Sequence, residues 1–185
     1  MTGLFGGAFD PPHNGHVALA ETALEHFELE RLLVLVVVEP GHRDVELDFE
    51  TRFRLAELAF SGLRRTEVVP EEHAYTVDAV RGGRSGDAIF LVGADEFAGF
   101  LSWKEPNGVL EEVRLGVATR PGFPSSLLED AIGGLARPDR VELFEIPAFD
   151  ISSSDIRARI ARGEPIDGLV PPPVAAEIDR LGVYR

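Results

Sequence analysis

The sequence predicts an α/β fold: a doubly wound parallel sheet with helices on both faces, built as a single domain. Three observations lead there. Strand-like and helix-like patterns alternate from end to end. Residues 31–38 (RLLVLVVV), 87–93 (DAIFLVG) and 114–119 (RLGVAT) are largely apolar runs, the pattern of strands buried on both faces. A chain of 185 residues is long enough for one domain with an ordinary core.

The elements follow in order. Residues 2–5 form a short first strand. A helix starts at Asn14, with Val17, Leu19, Ala20, Ala23, Leu24 and Phe27 on its apolar side. The strand at 31–38 comes next, then a helix over 49–63 with Phe53, Leu55, Ala56, Leu58, Ala59 and Phe60 as its apolar set. Residues 67–69 are a short strand, and 76–80 begin a helix with Thr76 as its N-cap. After the strand at 87–93 come a short helix at 106–113 and the strand at 114–119. A helix at 125–135, a strand at 141–146 and helices at 152–161 and 174–181 complete the order. Strands separated by helices imply right-handed βαβ units. No repeat, low-complexity tract or Gly/Ser linker interrupts residues 1–185, whose last part, from about 150, is helical.

Composition narrows the function. The formal net charge is −14, which argues against an extended nucleic-acid interface. There is no cysteine, so disulfides and thiolate metal sites are excluded. The longest apolar run, 32–38, is too short to span a bilayer, and no signal peptide is evident. A cytoplasmic protein with no membrane partner is expected. An acidic protein can still bind an anion where positive groups are concentrated. Of 18 basic residues, Lys104 is the only lysine.

In a parallel sheet of this kind, ligands bind beyond the carboxyl ends of the strands. Residues 6–16, 39–43, 93–95, 120–122 and 151–157 all fall there. The first stretch reads GGAFDPPHNGH. Glycines allow close backbone approach, and a helix N-terminus offers unpaired N–H groups and partial positive charge. His13 and His16 add two imidazoles, which suits a phosphate chain. A metal reading of the two histidines needs a third ligand from Asp10 or His42, and neither makes a recognisable metal spacing. Polar decoration of a helix end accounts for one histidine, not for two with the glycines and the Asp10-Pro11-Pro12 turn. The second stretch, Ile151-Ser152-Ser153-Ser154-Asp155-Ile156-Arg157, opens a late helix. One N-cap needs one serine, so three suggest a further use, and Arg157 can reach a phosphate with its fork.

Together these stretches resemble the nucleotidyltransferase superfamily, marked by (H/T)xGH and ISSxxxR elements, here His13-Asn14-Gly15-His16 and Ile151 through Arg157. Further segments are similar to the bacterial nicotinate-nucleotide adenylyltransferase family: Ala74-Tyr75-Thr76-Val77-Asp78, Gly93-Ala94-Asp95, the lone Trp103, Ala118-Thr119-Arg120-Pro121-Gly122, Leu169-Val170-Pro171 and Gly182-Val183-Tyr184. The resemblance spans nearly the whole chain. It implies a Rossmann-like fold and transfer of AMP from ATP to nicotinate mononucleotide, giving deamido-NAD and pyrophosphate. By resemblance, His13, His16 and Arg157 carry the catalysis. Gly6, Gly7, Ala8, Phe9, Gly93, Asp95, Ile151, Ser152 and Ser153 bind ATP, with the serines and Arg157 at its β and γ phosphates. Arg43, Tyr75, Thr76, Trp103 and Arg120 bind the acceptor. Mg²⁺ would be held mainly by phosphates, with no protein metal site. A homo-oligomer is compatible with this reading.

One departure stands out. The family usually carries a longer loop ending Pro-Pro-His-Lys after the second strand, whereas this chain has Glu39-Pro40-Gly41-His42-Arg43. Nicotinamide mononucleotide and pantetheine phosphate are the alternative acceptors. A non-catalytic nucleotide sensor is allowed by fold alone. A dinucleotide-binding oxidoreductase would place an acid such as Glu39 at the second strand's end, but the first turn lacks G-x-G-x-x-G.

Overall fold

Six strands pair in one all-parallel sheet: β1 (Thr2–Gly7), β2 (Arg31–Val37), β3 (Thr66–Glu71), β4 (Ala88–Gly93), β5 (Arg114–Thr119) and β6 (Val141–Glu145). Their spatial order is β3-β2-β1-β4-β5-β6, the doubly wound arrangement in which the order reverses between β1 and β4. The computed structural model describes residues 1–41, 45–84, 86–149 and 151–185.

Among the described residues, eight α-helices connect and cover the strands: α1 (Asn14–His26), α2 (Phe49–Phe60), α3 (Thr76–Arg81), α4 (Ala94–Phe97), α5 (Pro106–Glu112), α6 (Ser125–Gly133), α7 (Ser153–Ala161) and α8 (Pro172–Leu181). Side chains alternate across each strand, so the sheet separates two apolar layers. Phe5, Val34, Val36, Ile89, Leu91 and Ala118 pack in the layer that also holds buried residues of α1, α2, α7 and α8. Leu4, Leu35, Phe90, Val92, Leu115 and Val117 pack in the layer with α3 to α6. This explains why β2 and β4 read as near-continuous apolar runs.

Local chemistry sets the helix ends. Asp48 caps α2 by accepting a hydrogen bond from Thr51 N–H at 2.8 Å. Proline stands in the first turn of α5 and of α8, where its missing N–H costs no helical bond. Gly182 ends α8 in the left-handed region, at φ 65°.

Two sequence expectations are corrected. Thr76 is not the N-cap of α3. Tyr75 is, with extended backbone (φ −118°, ψ 138°), so Thr76 is already the first helical residue. Helix α4 and two short 3₁₀ turns, at Phe100–Ser102 and Pro138–Arg140, were not foreseen. Segments of three or four residues carry too few positions to show a period. No helix among the described residues is long and apolar enough to cross a membrane.

Candidate active site

The strand order reverses at β1 and β4, and the segments that follow these two strands carry residues singled out from the sequence. Gly6 and Gly7 end β1, and Gly93 ends β4 and caps α4. The chain turns at Phe9 (φ 53°) through a cis Asp10–Pro11 bond and enters α1 with His13 as N-cap. Part of the glycine requirement is internal. A Cβ on Gly7 would stand 2.9 Å from the Phe9 ring, which folds back into the core. Phe9 is therefore available to a ligand through its backbone only.

The two histidines are locked together. Their rings stack with centroids 3.7 Å apart. The His13 N–H donates to His16 Nδ1 at 3.1 Å, so a neutral His16 carries its proton on Nε2. The Phe9 ring meets His16 edge-on at 5.2 Å. His13 is only 9% exposed, and burial lowers its pKa from 6.5 to about 4. It is thus a neutral imidazole at neutral pH. Its buried side chain faces the His16 backbone N–H in a capping box, the reciprocal of the His13 N–H bond to His16.

Helix α7 docks its N-terminus against the same turn. Ser152 caps the helix, accepting from Asp155 N–H at 3.1 Å and donating to Asp155 Oδ2 at 2.6 Å. Ser153 Oγ donates to Pro11 O at 2.8 Å. Arg157 donates through Nη1 to Asp10 O at 2.7 Å and through Nε to Glu46 Oε1 at 2.8 Å. A long contact of 3.5 Å joins Arg157 Nη2 to Ser154 Oγ. The three serines thus have distinct internal partners: one caps, one ties α7 to the turn before α1, and one adjoins Arg157. Arg157 also lines an open cleft of about 370 Å³ with Glu46, Ser154, Tyr184 and Arg185. Ile151 directly precedes the cap.

The remaining positions fall into two sets of contacts. Asp95, in α4, lies 3.5 Å from Arg120 Nη2, and Arg120 Nη1 donates to Phe149 O at 2.7 Å. Trp103 follows the 3₁₀ turn and packs on Phe100 at 5.0 Å. Tyr75 is 43% exposed, and Lys104 Nζ lies 5.0 Å from its ring centroid, so the Tyr75 and Trp103 segments meet. Arg43 and His42 lie outside the described residues. His26 and His73 carry protein partners: His26 faces Glu142 at 3.3 Å, and His73 lies 2.7 Å from buried Glu71, which Arg84 also meets.

Three residues take structural roles at the site that the sequence does not assign to them. Asp10 is 3% exposed, and both of its carboxylate oxygens are taken: Oδ1 accepts from Tyr184 O–H and Oδ2 from Glu46 N–H, each at 2.6 Å. Burial and the Asp10 bond raise the Tyr184 pKa well above its ordinary value, so the hydroxyl remains a donor. Arg52 is 1% exposed and donates to the carbonyls of Leu47, Ala8, Val37 and Val38, joining the loops after β1 and β2. The signal for Arg52 was its place at i+3 from Phe49 and i−4 from Ala56, on the apolar stripe of α2. Tyr184 stood in the family-like segment Gly182-Val183-Tyr184, but its bond to Asp10 had no local pattern. Among the described residues no group of three or more His, Asp or Glu side chains could hold a metal.

A family model described as cytidylyltransferase-like matches residues 4–159. Two relatives carry the name "probable nicotinate-nucleotide adenylyltransferase". The one from Bordetella pertussis is 36% identical over 192 residues, covering 99% of this chain and 97% of its own. The one from Thermomicrobium roseum is 37% identical over 194 residues, covering 99% and 91%. A solved structure of Plasmodium falciparum nicotinic acid mononucleotide adenylyltransferase complexed with NaAD superposes with a TM-score of 0.81 at 16% identity, covering 99% of this chain and 96% of that one.

Proposed function

The chain belongs to the cytidylyltransferase-like family and, by its relatives, to the nicotinate-nucleotide adenylyltransferases, and from that membership we propose that it moves AMP from ATP to nicotinate mononucleotide. The products are deamido-NAD and pyrophosphate. One observation carries the assignment of the site: α7 is tied by Ser153 and Arg157 to the turn that delivers His13 and His16. The N-termini of α1 and α7 are thereby brought to a common turn. Two such ends, with their N–H groups and partial positive charge, suit the two ends of a triphosphate.

In this reading an oxygen of the acceptor phosphate attacks the α-phosphorus of ATP. The bond from that phosphorus to the β-phosphate bridging oxygen breaks, and pyrophosphate leaves with the electron pair. No protein nucleophile is needed, so catalysis is positioning and charge stabilisation. His16 presents Nε2–H because its Nδ1 accepts from the backbone, and that donor is assigned to the α-phosphate oxygens. The backbone of residues 6–9 lies along the phosphates. Ser152, Ser153 and Arg157 are assigned to the β and γ phosphates, with Arg157 exchanging Glu46 for phosphate oxygens. Gly93 and Asp95 are assigned to adenosine, and Arg43 and Arg120 to the acceptor phosphate. The pyridine ring is assigned to Tyr75, Thr76 and Trp103.

A divalent cation, Mg²⁺ in this reading, accompanies ATP on its phosphate oxygens. The donor set fits that better than a resident ion, since Asp10 spends both carboxylate oxygens on Tyr184 and Glu46.

The test is pyrophosphate release from ATP with nicotinate mononucleotide, nicotinamide mononucleotide or pantetheine phosphate as acceptor. Turnover with the first, exceeding the others, is expected. In the same assay His16→Ala should lower turnover by on the order of 10²–10³ with little change in ATP affinity. Release with none of the three acceptors would sink the proposal, and an unchanged His16→Ala rate would remove the role given to His16.

A further inference from the structure

Lys104, the chain's one lysine among 18 basic residues, stands where two segments of the acceptor region meet. Its Nζ donates to Asp78 Oδ2 at 2.8 Å and lies 5.0 Å from the Tyr75 ring centroid. Asp78 sits two residues beyond Thr76, in the first turn of α3. A second bridge, Arg81 Nη1 to Glu105 Oε2 at 2.9 Å, joins the same two segments. The ammonium is therefore oriented by a carboxylate and an aromatic ring, on the residue that follows Trp103 in the chain. Its side chain is 43% exposed, so a ligand can reach it.

A pair this exposed adds little to folding stability. The consequence of its placement lies with a ligand. An ammonium has three donors and Asp78 uses one, so its valence admits a second acceptor.

We propose that Lys104 is a specificity-determining residue, which favours an acceptor bearing a ring carboxylate over one bearing a carboxamide. The inference rests on the assignment of the pyridine ring to Tyr75, Thr76 and Trp103. A carboxylate accepts a charge-assisted hydrogen bond with either oxygen. A carboxamide offers one neutral oxygen, and in its other orientation turns N–H donors towards a cation. Asp78 both aims the ammonium and offsets its charge. Discrimination therefore comes from a short contact, which salt screens less than a long-range field.

The experiment is steady-state pyrophosphate release by the full chain and by Lys104→Met and Lys104→Arg, with nicotinate mononucleotide and nicotinamide mononucleotide. Lys104→Met should lose about tenfold in kcat/KM for the acid acceptor and less than about twofold for the amide, with the KM for ATP unchanged. Lys104→Arg, which keeps a donor cation, should retain most of the preference. Equal losses on both acceptors, or no loss on either, would overturn the role of Lys104. A parent chain that turns over neither acceptor would instead bring down the proposed function beneath it, so the two failures are told apart.

Discussion

His13 is held as a neutral base, and that makes stability depend on pH. Burial lowers its pKa from 6.5 to about 4 in the folded chain. Between those values the unfolded chain binds a proton that the folded chain does not. Stability contributed by this group is therefore complete above pH 6.5 and is lost as pH falls towards 4. The contribution is on the order of 3 kcal/mol at neutral pH, with about 2 kcal/mol of it gone by pH 5. His13→Asn removes the titrating ring. Urea unfolding of parent and variant at pH 7 and pH 5 should show the parent losing about 2 kcal/mol more than the variant over that interval. Identical pH dependence in the two would contradict a buried, neutral His13. The same burial suits the stacked pair, because a neutral His13 brings no positive charge to within 3.7 Å of the His16 ring.

At the scale of elements, α2 shows how one helix organises the site from behind. Arg52 satisfies four carbonyls, from Ala8, Val37, Val38 and Leu47, and so holds the exits of β1 and β2 in one arrangement. In the trans Ala8–Phe9 peptide the N–H points opposite to the carbonyl, so the bond to Ala8 O also turns the Phe9 N–H away from Arg52. Arg52→Met fills similar space but leaves these buried acceptors short of donors. It should destabilise the fold by on the order of 3 kcal/mol, read as a lower urea midpoint with an unchanged slope. A midpoint within error of the parent's would show that the carbonyls find other partners. The strands were legible in advance because both faces of the sheet are covered, which turns β2, β4 and β5 into apolar runs. The bounds of β5, residues 114–119, agree with expectation. Helix ends were less legible. Thr76 looks like a cap by residue type, yet the extended backbone belongs to Tyr75. The serines of α7 were read as excess over one cap, and the structure gives two of them protein partners beyond their own turn or beside Arg157. Such uses depend on where Pro11 and Arg157 lie in space, which sequence spacing does not carry.

At the scale of the whole molecule, the two ends of the chain close on each other at the site. Tyr184 O–H donates to Asp10 Oδ1 across 174 residues, and its ring is buried in the layer formed with α1, α2, α7 and α8. Asp10 in turn accepts from Glu46 N–H and offers its carbonyl to Arg157. The turn before α1, the loop before α2, the first turns of α7 and the residues after α8 therefore share one buried carboxylate and its neighbours. No local pattern could have revealed this, because each contact joins residues far apart in sequence. Removing the hydroxyl and removing the ring separate two contributions. Tyr184→Phe leaves Asp10 Oδ1 buried without its donor and should cost about 2 kcal/mol, the range for a hydrogen bond to a charged group. Deleting residues 184 and 185 also exposes the apolar surface the ring covered, and should cost about 2 kcal/mol more. Urea unfolding of the parent, Tyr184→Phe and the deletion should therefore give three separated midpoints in that order. If Tyr184→Phe unfolds with the parent, the hydroxyl contributes nothing and Asp10 is held by Glu46 and Arg157. If Tyr184→Phe unfolds with the deletion, the closure rests on the hydrogen bond and the buried ring adds nothing to it.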